Sequence, residues 1–182
     1  MRRYFLLPAF LLFAILSCNT QAGNPVVDGK AYKMPDEEAI QKAVAYAYRT
    51  ISFKEGETLN YDSIKAHFIP KAQFIHFVND SMQILSLDEF VNGYKQFIET
   101  AHVKSFKDEE ITGRTDQYGR IAERVSTYQS YMNNMDTVVE RGVNSFQLIN
   151  TPEGWRVSSI IWDIERPGQP IPGYYLKSDY VR

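Results

Sequence analysis

The chain has 182 residues, 44% of them hydrophobic and 14% aromatic, which is enough apolar surface for one packed domain and too much for a disordered one. With 20 basic against 22 acidic residues, a net charge of −2 and no Lys/Arg block, the composition argues against nucleic-acid binding and against polybasic docking on a membrane. A single cysteine excludes an intrachain disulfide.

Residues 1–18 read as an export signal. Arg2 and Arg3 make a positive start, and Tyr4 to Leu16 is apolar but too short to span a bilayer as a mature helix. Ile15-Leu16-Ser17-Cys18 resembles a bacterial lipobox, with Ile15 where leucine is usual, so Cys18 is the predicted lipid-modified first residue of the mature protein. The alternative is cleavage after Thr20-Gln21-Ala22, which would give a soluble periplasmic or secreted protein. Loss of the leader leaves 18 basic against 22 acidic residues, a balance of −4. Residues 19–34, with their Gly, Pro, Asn and Asp, read as a flexible tether.

The domain proper is expected over 35–176, followed by a tail at 177–182. A first helix starts at Pro35-Asp36-Glu37-Glu38, where acids suit the positive end of the helix dipole. Ile40, Val44, Ala47, Tyr48 and Ile51 form its apolar face, and Lys54-Glu55-Gly56-Glu57 is expected to end it. A shorter helix is predicted over Tyr61 to Phe68, stopped by Pro70, and a short strand over Gln73 to Val78. Ser86 and Glu89 form a capping box for a third helix, whose apolar face runs from Leu87 through Phe90, Val91, Tyr94 and Ile98.

Beyond Val103 the hydrophobic period becomes that of strands. Strands are predicted at Phe106 to Thr115, Arg120 to Met132, Thr137 to Ile149 and Trp155 to Ile164. Asp116 to Gly119 reads as a type I turn, Asn133-Asn134 as left-handed turn residues, and Gly142 as a bulge. Thr151-Pro152-Glu153-Gly154 closes the last hairpin, and the prolines after Glu165 end the sheet. The expectation is an α+β fold, with about three N-terminal helices against a four-strand antiparallel meander plus one short strand.

This order, with Gly142-Val-Asn-Ser-Phe-Gln-Leu followed by Gly154-Trp155-Arg-Val and the tail Trp162…Arg166-Pro…Pro170-Ile171-Pro172…Tyr175-Leu176, resembles the nuclear transport factor 2-like superfamily, which includes SnoaL-like polyketide cyclases. The resemblance implies a curved sheet wrapped around helices, a cone with an apolar pocket at its wide end, and homodimers formed through the outer sheet face. It matches exported bacterial members without a defined activity, so it speaks to fold rather than function.

Usual catalytic signatures are missing: the sequence has no phosphate loop, no nucleophile elbow and no His-Glu-x-x-His, and its three histidines lack metal-ligand spacing. No metal and no cofactor are expected. His76, between Ile75 and Phe77, shares a strand face with Phe74 and is a candidate pocket base or a half-buried structural histidine. Asp163, beside Trp162, is a candidate acid, or else a surface aspartate paired with an arginine such as Arg124. Tyr48 and Tyr128 are candidate hydrogen-bond donors, and Phe74, Arg124 and Trp162 candidate ligand contacts. On the long central strand, alternation puts Arg124 and Tyr128 on one face and Glu123 and Tyr131 on the other without saying which faces inward. Three functions remain open: a small-molecule-binding domain for an apolar or aromatic ligand, an isomerase-, dehydratase- or cyclase-type enzyme, and an envelope interaction module.

Overall fold

A computed structural model describes residues 36–177; the predicted leader, tether, Cys18 and the end of the C-terminal tail lie outside the described residues. Three helices, α1 (Glu37–Ile51), α2 (Tyr61–Lys65) and α3 (Leu87–Thr100), accompany six strands: β1 (Phe68–Val78), β2 (Ser81–Ser86), β3 (Phe106–Tyr118), β4 (Ile121–Met132), β5 (Asn134–Thr151) and β6 (Gly154–Ile164). The strands form one curved sheet in the order β2-β1-β6-β5-β4-β3, antiparallel except where β1 runs parallel to β6. The predicted four-strand meander is β3 to β6. Among the described residues, no helix is long and apolar enough to cross a membrane.

α1 and α3 lie on the concave face because their apolar stripes have nowhere else to go. α1 buries Ile40, Ala43, Val44, Ala47 and Tyr48 against β3, β4 and β6, while α3 buries Leu87 and Val91 near β1 and β2. The start of α1 is tied to β3 by a reciprocal pair, in which Gln117 Nε2 donates to Asp36 Oδ2 and Asp36 N–H donates to Gln117 Oε1. The start of α3 is the predicted capping box, with Ser86 N–H donating to Glu89 at 2.7 Å and Glu89 N–H to Ser86 Oγ at 3.3 Å. Phe74, Phe146, Leu148 and Val157 form the floor of the core, where truncating a phenylalanine costs about 3–5 kcal/mol.

Several expectations are corrected. α1 ends at Ile51, before the Lys54–Glu57 segment, and Phe53 then bridges to Phe106. The second helix stops at Lys65, because the chain enters β1 at Phe68. Pro70 is therefore a strand residue. It sits in the register shift between Phe68 and Gln73, where a missing N–H breaks no ladder bond. β2 has no counterpart among the predicted elements; it follows a tight turn in which Asn79 and Asp80 both take positive φ, 47° and 64°. β3 continues through Asp116 and Gln117 to Tyr118, and its hairpin turns at Gly119-Arg120.

Gly142 is no bulge. It pairs in register with Tyr128 and Ile164, and the irregularity in the β4–β5 pairing falls at Ser130 to Met132. Glycine is needed there for space, since a Cβ would stand 2.6 Å from Tyr128 Cε1 and 2.6 Å from the Asp163 carbonyl oxygen.

The even-numbered residues of β4 face inward. Arg124, Ser126, Tyr128 and Ser130 are buried under the helices, and Thr127, on the outer face, is covered by the tail, donating to the Tyr175 carbonyl. The outer face of β2, β1 and β6 is different: Met82, Ile84, Phe77 and Ile161 are exposed on adjacent strands.

Candidate functional site

Between the helices and the concave sheet is a cavity of about 630 Å³. Most of its wall is aromatic or aliphatic. Phe74 stacks on Phe90 with ring centres 4.1 Å apart, Tyr94 meets Phe106 edge-on at 5.9 Å, and His76 stacks on Trp162 at 4.5 Å. Gly93, on the exposed side of α3, stands at the rim, and a Cβ there would meet nothing within 4 Å.

One side of the wall is polar, and it comes from β3, β4 and β5. Asp108, Ser130 and Glu140 pair in one row across those strands, and all three line the cavity. Tyr128 hydroxyl donates to Glu140 Oε1 at 2.7 Å. Asp108 Oδ1 is sealed from solvent and has no hydrogen-bond partner. Burial pushes the Asp108 carboxyl up to about 7; the Ser130 hydroxyl opposes this, and the charge of Glu140 adds to it.

Behind this wall runs a buried polar chain. Arg124, 4% exposed, donates to Glu110 through Nε at 2.9 Å and through Nη2, and to Thr115 Oγ1 at 2.6 Å. Ser126 Oγ donates to Glu110 Oε2 at 2.7 Å. A carboxylate can only accept, so the Ser126 proton is spent on Glu110. The 2.7 Å bond between Ser126 and Tyr48 is therefore donated by Tyr48, whose oxygen in turn accepts from Asn144 Nδ2 at 2.7 Å. Burial raises the hydroxyl pKa of both Tyr48 and Tyr128, so both stay neutral.

Of the residues singled out from the sequence, Tyr48, Phe74, His76, Tyr128 and Trp162 line this one cavity. His76 faces it from β1 and the carboxyl groups from β3 and β5, so the histidine and Asp108 sit on walls separated by β6, β5 and β4. Burial lowers the His76 pKa, which leaves the ring uncharged at neutral pH. Neither tyrosine has a spare proton for a ligand, because Tyr48 gives its own to Ser126 and Tyr128 to Glu140.

Arg124 lies behind the wall rather than in it. Asp163 faces away from the cavity and accepts from Arg166 Nη1 at 2.7 Å, from Gln169 Nε2 at 3.0 Å and from Ile164 N–H at 2.9 Å. Its bonds clasp the proline-rich exit, and its arginine partner is Arg166, not Arg124. Sequence reasoning missed Asp108, Glu140 and Gly93. Lys107-Asp108-Glu109-Glu110 looks like a solvated charge run, and only strand alternation separates inward Asp108 and Glu110 from outward Glu109, which pairs with Lys107. Among the described residues, no group of three or more His, Cys, Asp or Glu is placed to hold a metal ion.

No family model matches the chain, and no curated protein matches it in sequence. Solved structures do. A Nostoc punctiforme protein of unknown function with a cystatin-like fold superposes with a TM-score of 0.59 at 10% identity, over 75% of this chain and 96% of that one. A proposed dehydratase of the nuclear transport factor 2-like family from Streptomyces avermitilis gives a TM-score of 0.57 at 13% identity, over 72% and 96% of the two chains. A proposed aromatic ring hydroxylase from Novosphingobium aromaticivorans gives 0.56 at 18% identity, over 75% and 94%. Such low identities speak to architecture alone. The helices laid in a curved mixed sheet, the closing strand β6 (Gly154–Ile164) and these superpositions agree: the chain has the nuclear transport factor 2-like fold.

Proposed function

We propose that this domain binds a small, largely apolar or aromatic molecule in the concave cavity, and does so outside the cytoplasm, tethered by a lipid on Cys18. The cavity carries the reading. Its volume of about 630 Å³ falls within the ~300–1,000 Å³ of small-molecule sites, and its wall joins stacked aromatic rings to one polar side. Neighbours proposed as a dehydratase and an aromatic ring hydroxylase lend the fold a small-molecule context.

Native mass spectrometry of protein purified from its own host should show a bound molecule. Gly93→Phe, which fills the rim, should weaken its binding about tenfold or more while leaving the melting temperature unchanged or slightly higher. Undiminished binding by that variant places the ligand elsewhere. The anchor is tested by Cys18→Ser, which should abolish lipid labelling and release the protein from membranes; unchanged retention excludes lipidation at Cys18.

A second reading, an enzyme of the isomerase, dehydratase or cyclase type, is favoured by one observation: Asp108 is a cavity carboxyl group titrating near neutrality. Such a group can accept a proton from carbon and return it within the same site. A carbonyl compound that binds in the cavity, incubated in deuterated buffer, should then exchange hydrogen next to its carbonyl group with wild type and not with Asp108→Asn. Equal exchange by both removes the carboxyl from any such chemistry.

A further inference from the structure

Two carboxyl groups face the cavity, and among the described residues lining it there is no lysine or arginine. The remaining base, His76, is driven toward its neutral form by burial. Arg124, on the same inner face of β4 but outside the cavity lining, is committed to Glu110 and Thr115. Asp108 and Glu140 stand two strands apart on one row, about 10 Å between their Cα atoms at ~4.8 Å per strand, with Ser130 between them. That span lets side chains reach toward one group placed between them.

From this we infer that the ligand of the cavity is an organic cation, an aromatic or alkyl amine whose ammonium group lies between Asp108 and Glu140 with its apolar body among the rings. The inference rests on the reading of the cavity as a ligand site. Three physical arguments carry it. A buried carboxylate without a counter-charge, as at Asp108, is costly, and an ammonium supplies that charge. The donors at the polar side are already committed, the Ser130 hydroxyl to the Asp108 carboxyl and the protons of Tyr48 and Tyr128 to Ser126 and Glu140, while Oδ1 of Asp108 has no partner. A ligand that brings N–H donors satisfies them, whereas a carboxylate or phosphate would meet like charge. Finally, aromatic faces such as Tyr94, Phe106 and Trp162 favour a cation through their quadrupoles. The raised Asp108 pKa agrees, because it reports a carboxyl group that lacks a nearby positive partner.

The test is calorimetric titration of the full domain at neutral pH with three indole probes of one shape, tryptamine, tryptophol and indoleacetate. Tryptamine should bind about tenfold or more tightly than tryptophol, and indoleacetate more weakly than both. Asp108→Asn and Glu140→Gln, each checked for folding by circular dichroism, should bring tryptamine down to the tryptophol level and leave tryptophol unchanged. If tryptophol binds as well as tryptamine, or indoleacetate binds best, the cation assignment is overturned while the cavity remains a ligand site. If none of the three binds, the cavity reading falls along with it.

Discussion

The buried carboxyl of Asp108, with its Oδ1 unpartnered, has a consequence for stability that does not depend on any ligand. Its pKa rises from the usual 3.8 to about 7 on folding, chiefly through burial. The folded protein therefore keeps a proton that the unfolded chain has released between those two values. In that window the native state binds more protons, so stability falls as pH rises, by up to about 1.4 kcal/mol per pH unit. The loss is absent below the unfolded pKa and complete about one unit above the folded one, and between about pH 5 and about pH 7 it amounts to roughly 2 kcal/mol.

Asp108→Asn removes the ionisation and leaves the shape. The stability of variant minus wild type should climb by that amount across the window. At pH 5 the variant should be less stable, since an amide at a buried, unpartnered position costs about 1–3 kcal/mol; near pH 8 it should equal or exceed wild type. His67 and His76, whose pKa values are lowered by burial, tilt the wild-type curve in the opposite sense below about pH 6.5, where the unfolded chain takes up their protons. Both are unchanged in the variant, so the difference isolates Asp108. Urea unfolding followed by tryptophan fluorescence is suited to the measurement, because Trp155 is buried and Trp162 lines the cavity. A difference that stays flat within about 1 kcal/mol over the whole range would refute the assigned environment of Asp108.

Four further outcomes are expected. Gly142→Ala should destabilise by about 1–3 kcal/mol in thermal melts, because its Cβ meets both Tyr128 and the Asp163 backbone and the strand pair has no slack. Glu110→Gln strands the buried Arg124 guanidinium and should cost about 3–5 kcal/mol in urea; adding Arg124→Met should restore much of it, as an apolar side chain has no charge to leave unpaired. Ser86→Ala should cost about 1 kcal/mol through loss of the capping box, readable as a lower urea midpoint with an unchanged slope. Gly93→Ala should do the reverse, stabilising α3 by about 0.5–1 kcal/mol, because the helix tolerates glycine at the cavity rim without a steric need for it.

Local chemistry made much of this protein legible from its residues. Ser86 and Glu89 announce the start of α3, Pro152 and Gly154 the last hairpin, and the spacing of Ile40, Val44, Ala47 and Tyr48 the buried face of α1, because each effect acts over a few residues. The short strand β2 escaped notice since its alternation, Ser81-Met82-Gln83-Ile84, covers only four residues and turns its apolar members Met82 and Ile84 outward. The cavity wall escaped for another reason. Alternation along β3 and β4 sorts residues into two faces, and nothing in a strand says which face a helix will cover. Only the packing of α1 onto β3 and β4 turns Asp108, Ser126 and Arg124 inward, removes them from water, and brings the proton of a carboxyl in a charged run near neutrality. The same packing leaves Asp163, conspicuous beside Trp162 in the sequence, on the outside as a clasp for the proline-rich exit. Residue pattern alone determined both long helices and the last hairpin; the tertiary structure decided where β1 and β2 pair and which polar groups lose their water, and so where chemistry can be sought.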